Sequence, residues 1–229
     1  MISEEQLTAL LADLDKEESQ AQLAYRVLEE MIVTLKLPPG SKISEKSLHR
    51  SLGMGRTPLR EALQRLAIEG TVKILPRAGV IVSDIDLADQ FKLIEVRREL
   101  EKILAGRSAR LTSPEQKRRF LDLATAFDAA GEKNDESIFI QADREFNALT
   151  IKTAQNNYAT CAIGPIAAQT RRFWFLHFKR FGNLARVSRL HSAIARAIAA
   201  GNEPQARAAS DRLIDYVEEY TRQTLQSML

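Results

Sequence analysis

Arg56, Thr57 and Arg60 open the stretch Arg56–Leu63, and their types and spacing suit the gripping of a polyanion. Pro58 fits the first turn of a helix, where its missing N–H costs nothing, and Gly70 marks a C-terminal stop. Two arginines near that end oppose helix stability, because the N-terminal end of the dipole is already positive. The placement makes sense where negative charge meets the helix. An arginine fork on guanine O6 and N7 discriminates by about 1–3 kcal/mol, and Arg56 or Arg60 can supply it. Lys46 and Arg50 on the preceding segment, and Arg77 at a turn tip, add flanking cations for phosphates. Between residues 42 and 77, eight basic side chains face three acidic ones, Glu45, Glu61 and Glu69, in a chain of net charge +3. A locally basic module of this kind points to nucleic acid. The alternative is a plain packing corner with a solvated basic face.

A second set of residues lies further along. Arg97 and Glu101 are four apart on the stripe of Leu87, Phe91, Ile94 and Leu104, which should face an interior. They form either an internal salt bridge or a site where Arg97 receives the carboxylate of a small molecule. His191 shares a helix face with Leu184, Val187, Ile194 and Ile198, and Ser188 stands three residues before it. That pair can hydrogen-bond a ligand, with full positive charge only when the imidazole is protonated. A core histidine with a satisfied hydrogen bond explains the same pattern. Arg171 and Arg172 precede Phe173-Trp174-Phe175, a cluster that suits core or dimer packing better than a cation cage. An enzyme built on Asp143, His191 and Arg97 is a competing class. Against it, the chain has no nucleophile–base constellation and no phosphate-cradling glycine loop.

These residues need elements to hold them. Residues 1–20 carry a capping-box pattern, Ser3 and Gln6, and then Leu7, Leu10, Leu11 and Leu14 at helical spacing, so they read as a helical extension. A second helix spans 21–36 with Leu23, Val27, Met31 and Leu35 on one face, and Leu37-Pro38-Pro39-Gly40 ends it. Ser44 caps a short helix, Glu45 to Leu52, which Gly53 closes. The turn to Arg56 contains Gly55, giving helix-turn-helix spacing. Val72–Ile74 and Val80–Val82 form a two-stranded hairpin with Arg77 at its tip. Beyond Asp84 six helices follow: Leu87–Leu111 as the longest, one from Ser113-Pro114 to a stop at Gly131, then Asp135–Ala154, Tyr158–Phe181, Leu184–Ala200 and Glu203–Leu225. The expected fold is mainly α: a winged helix-turn-helix at 21–84 and an all-α six-helix bundle at 85–229.

Length and composition agree with two modest domains, since 229 residues at 45% hydrophobic can bury two cores. A single cysteine, Cys161, excludes an internal disulfide framework. No run approaches the ~20 apolar residues of a membrane span, and no basic-then-apolar leader opens the chain. The cytoplasm is the expected compartment, with no membrane partner.

Leu37-Pro38-Pro39-Gly40-Ser41-Lys42-Ile43-Ser44-Glu45, then Leu52-Gly53-Met54-Gly55-Arg56-Thr57-Pro58-Leu59-Arg60-Glu61-Ala62-Leu63, then Glu69-Gly70 and Gly79, resemble the GntR-family winged helix. The helical remainder is similar to the effector domain of the FadR subfamily, on Val96-Arg97, Glu101, Asp143, Phe146, His191 and Ile194. The resemblance implies a homodimeric regulator of transcription on a pseudo-palindromic double-stranded operator, with affinity set by a small molecule, often an organic or sugar acid. Contacts to DNA fall in that family on the positions of Lys46, Arg56, Thr57, Arg60 and Gly79. The residue before Arg56 is usually Ser or Thr there. Gly55 loses that side-chain phosphate contact, although its backbone N–H can still donate, and an altered operator preference is expected.

The subfamily commonly holds a divalent metal on an Asp, a His four residues later and two further His. Asp143 and His191 match, whereas Asn147 and Leu213 occupy the other two positions. First-row divalent sites want three or four N, O or S ligands, so neither a metal nor another cofactor is expected. Arg97, Glu101, Asp143, Asn147, Ser188 and His191 are left as a metal-free polar effector site. A metal-dependent regulator and an architectural DNA binder with no effector remain the alternatives.

Overall fold

The structure, a computed structural model, describes residues 19–76 and 79–227, with the side chains of residues 87 and 179–181 also left out of the description. The expected helix at 1–20 falls almost wholly outside the described residues, as does Arg77. Helix α1 is Gln20–Val33, begun by Ser19 in a reciprocal capping box with Gln22. The helix ends three residues before the expected 36. Thr34 caps it, and Leu35 turns left-handed at φ 59°, so Leu35 leaves the apolar face assigned to it.

Strand β1, Lys42–Ile43, is followed by α2, Glu45–Leu52, with Ser44 as N-cap and Gly53 in the left-handed conformation at its end. Helix α3 is Arg56–Ile68, and strands β2, Val72–Leu75, and β3, Gly79–Val82, complete the wing. The wing is a three-stranded antiparallel sheet of order β1-β3-β2, not the two-stranded hairpin expected. Lys42 stands opposite Ile81 and Ile43 opposite Val80, a pairing across 37 residues that a two-residue strand cannot signal locally. Leu23, Val27, Leu28, Ile32, Leu48, Leu59, Leu63, Leu66, Val72, Val80 and Val82 form the core under this sheet.

Six helices follow: α4 Leu87–Leu111, α5 Pro114–Lys133, α6 Glu136–Ala154, α7 Asn157–Phe181, α8 Leu184–Ala199 and α9 Glu203–Gln226. Helix α7 equals α4 in length at 25 residues, so α4 is not the longest alone. Gly131 does not stop α5. The helix runs to Lys133, and Asn134 takes the left-handed cap at φ 52°. Gly131 lies mid-helix because a Cβ there would stand 3.1 Å from Ser188 Cβ and 3.3 Å from Ala185 Cα, so its role is close approach to α8.

The chain forms two compact units. One ends at Asp86 and also takes in Ala167–Leu176 of α7; the other holds Leu87–Ile166 and the chain from His177 onward. Within the second unit α5 packs on α8 and α6, and α4 packs on α9 and α6. Among the described residues no helix is long and apolar enough to cross a membrane.

Candidate nucleic-acid interface and effector site

Leu59, Ala62, Leu63 and Leu66 of α3 are buried at i, i+3, i+4 and i+7 spacing. That pattern turns Arg56, Thr57, Arg60, Glu61 and Gln64 outward, and all five are exposed. Lys46 and Arg50, four apart on α2, are exposed as well. Among the described residues Arg56 has no hydrogen bond or ion pair, so it keeps its whole donor set. Arg60 differs: its Nε donates to Glu45 Oε2 at 2.8 Å. Glu45 and Gln64 were not singled out from the sequence. Gln64 was legible from the same helical spacing, whereas the Glu45 contact joins residues 15 apart and has no local signal. The turn between the helices is held by His49, whose Nδ1 lies 2.6 Å from Met54 O.

The C-terminal end of α3 is anchored to α1. Tyr25 donates to Glu69 Oε2 at 2.7 Å, and the Arg65 guanidinium lies 3.7 Å over the Tyr25 ring while bonding Glu69 Oε1. Burial, reinforced by Glu29 and Glu69, pushes the Tyr25 phenol far above its usual range, so it stays a donor. Gly79 opens β3 at φ 96°, a conformation only glycine adopts without strain.

Gly55 is the N-cap of α3 and gives no side-chain cap bond. Its φ of −61° suits any residue, and an added Cβ would meet only Pro58 Cδ and Cγ at 3.4 Å. Pro58 occupies N3 and has no N–H, so a serine hydroxyl at position 55 could cap only the Thr57 amide. We therefore expect Gly55→Ser to change stability by only a few tenths of a kcal/mol. Operator affinity should rise about tenfold or more per half-site, since a hydrogen bond to a charged phosphate contributes about 1.5–3 kcal/mol. Paired thermal melts and operator titrations check both halves, and unchanged affinity would leave Gly55 without a role in phosphate contact.

In the second unit His191 is 6% exposed and enclosed by three phenylalanines. Ring centroids stand 4.9 Å away for Phe127, 5.3 Å for Phe139 and 6.0 Å for Phe146. His191 Nδ1 lies 2.9 Å from Val187 O, so that nitrogen carries a proton and Nε2 faces Asp143 Oδ1 at 3.3 Å. Asn147 Nδ2 donates to the same oxygen at 3.1 Å. The structure thus joins Asp143, Asn147 and His191. Ser188 is fully buried beside Gly131, and among the described residues its Oγ has no hydrogen-bond partner. Arg97 and Glu101 pair at 2.6 Å, the salt-bridge option of the two considered, with both side chains about one-sixth exposed.

These residues do not fit a divalent metal. Asn147 turns its Nδ2 on Asp143 in place of a histidine nitrogen, and the fourth position is Leu213, an apolar and buried side chain with no ligating atom. Among the described residues no group of three or more His, Cys, Asp or Glu is placed to hold an ion.

A winged helix with an exposed cationic recognition helix, joined to an all-helical unit holding a polar cluster, defines the architecture of a DNA-binding regulator. Residues 20–82 match the gntR family of bacterial regulatory proteins and residues 92–216 match the FCD domain. The chain belongs to the GntR family of DNA-binding transcriptional regulators and carries an FCD effector-binding domain. This is a family of regulators, not of enzymes. An HTH-type regulator in the TAR-I ttuE-ttuC' intergenic region of Agrobacterium vitis is 35% identical over 153 residues, covering 66% of this chain and 90% of that protein. The HTH-type transcriptional repressor RspR of Escherichia coli is 25% identical over 205 residues, 90% of each chain. The solved structure of E. coli McbR/YncC superposes with a TM-score of 0.79 at 18% identity, covering 91% of this chain and 99% of that one.

Proposed function

We propose that the chain acts in the cytoplasm as a homodimeric repressor on a pseudo-palindromic operator, with 21–84 as the DNA-binding domain and 85–229 as the effector-binding and dimerisation domain. The observation that carries the DNA half is the outward stripe of Arg56, Thr57 and Arg60 at the N-terminal end of α3. In this reading α3 enters the major groove, Arg56 and Arg60 meet base edges, and Thr57, Lys46 and Arg50 meet phosphates. Gly79 lets the wing backbone approach the duplex, and Arg77 extends that contact. One short recognition helix gives limited specificity, and two related by a two-fold axis read two half-sites. Repression is supported by the likeness to the E. coli repressor.

The effector in this reading is a small organic or sugar acid, received by Arg97, Glu101, Asp143, Asn147, Ser188 and His191. The Ser188 hydroxyl, buried without a partner among the described residues, is a group that a ligand oxygen would satisfy. Glu101 takes the Nε–H of Arg97, so an effector carboxylate would share the guanidinium with it.

The test is fluorescence anisotropy on the upstream intergenic DNA with a panel of organic acids, beside thermal melts. An acid at about 1,000 times its Kd should stabilise the protein by about 4 kcal/mol and shift operator affinity, and His191→Ala should lose both effects. Specific operator binding that no acid alters would end the effector reading. Stabilisation that EDTA removed and zinc restored would end the metal-free one.

A further inference from the structure

The contact between Glu45 and Arg60 joins the two helices of the helix-turn-helix, and folding gains little from it. The Arg60 side chain is 65% exposed and that of Glu45 36%, and ion pairs in that setting contribute little to stability. What the pair does fix is direction. Glu45 Oε2 takes the Nε–H of Arg60 at 2.8 Å. The guanidinium is planar, so a carboxylate on Nε sets its plane and leaves the two Nη groups as the outward end of the fork. That end is the one a guanine O6/N7 pair accepts. Glu45 itself is held near the N-terminal end of α2, where the helix dipole favours an anion. A carboxylate this close to a phosphate backbone would repel it unless a cation shared it, and Arg60 is that cation.

We propose that Glu45 is a positioning residue for operator recognition: it orients the Arg60 fork toward one base and withholds part of its charge from DNA in general. The inference rests on the reading that Arg60 meets a base edge. It assigns selectivity to a residue that itself touches no DNA.

The experiment measures binding of the full chain to its operator, to every single-base variant of one half-site and to unrelated DNA. The variants are Glu45→Ala, Glu45→Gln, Arg60→Ala and the Glu45→Ala/Arg60→Ala double, each checked by thermal melt. Arg60→Ala should flatten preference at one operator position. Glu45→Ala should flatten the same position, lowering discrimination there by roughly tenfold, a typical loss for one bidentate contact, while binding to unrelated DNA holds or rises. The double variant should behave as Arg60→Ala alone. Glu45→Gln keeps an acceptor for Nε and should restore most of the discrimination.

An equal gain by Glu45→Ala on operator and unrelated DNA would overturn the proposal, because Glu45 would then act only as a repelling charge. Flattening at a different position, additive with Arg60→Ala, would also overturn it, since Glu45 would then read a base itself. If Arg60→Ala left every base preference intact, the reading of Arg60 would fall first and this inference with it.

Discussion

Arg56→Ala is expected to weaken operator binding heavily while leaving the fold as stable as before, or slightly more so. Arg56 is the first residue of α3, exposed, and without a partner among the described residues. A cation at that end costs about 0.3–1 kcal/mol against the helix dipole, and alanine is the best helix former. Removing the side chain therefore relieves the helix. If Arg56 meets a base edge, the same change forfeits about 1–3 kcal/mol of discrimination at each half-site. In a two-fold dimer the loss counts twice, about 2–6 kcal/mol, or roughly 30-fold to 10⁴-fold in affinity. The opposite signs make the result diagnostic. A variant that bound poorly because it folded poorly would lose melting temperature as well. Titrations against operators changed at each position complete the check: an equal loss on all sequences with a shallower salt dependence would place Arg56 on a phosphate instead.

Much of the DNA-binding unit was legible because its signals are local. Ser44, Gly53 and Gly70 mark helix ends by chemistry that acts within a turn or two, and α2 and α3 begin and stop where those residues direct. The buried face of α3 follows from Leu59, Ala62, Leu63 and Leu66, and the exposed stripe is its complement. Ser113 and Pro114 announced α5 in the same way. What was missed depends on partners far along the chain. Strand β1 has two residues and exists because β3 pairs with it. Gly131 resembles a helix stop, yet what it answers to is the backbone of Ala185, more than fifty residues on.

The candidate effector site was harder for the same reason. His191 could be assigned a helix face, but its phenylalanine enclosure comes from α5 and α6, and its Asp143 contact spans 48 residues. The resemblance to the FadR subfamily singled out Asp143 and His191 without showing how they meet. Helical spacing put Arg97 and Glu101 on one face, and only the structure shows that they pair.

Arg172→Ala should be among the most damaging single changes to the first compact unit. Arg172 belongs to the part of α7 included in that unit, and it is fully buried. Its Nη2 donates to Ser83 O just past the end of β3, and its Nη1 to Gln169 Oε1 at 3.0 Å. Among the described residues its Nε has no hydrogen-bond partner. Burial lowers the guanidinium pKa from its usual value, and the charge of Asp84 offsets this in part. Alanine would leave a cavity the length of the side chain, at about 2–5 kcal/mol for a large-to-small change, and would orphan the Ser83 carbonyl. Methionine separates the two causes, because it refills much of the volume and removes the buried charge. Replacing buried ionic groups by apolar ones of similar size is often neutral or better, so Arg172→Met should cost about 1–2 kcal/mol, chiefly the lost bond to Ser83. Hydrogen exchange reads this locally. The amides of β2 and β3 should exchange much faster in Arg172→Ala and only slightly faster in Arg172→Met. If methionine proved as damaging as alanine, the guanidinium's own hydrogen bonds, and not its bulk, would be what holds α7 against the wing.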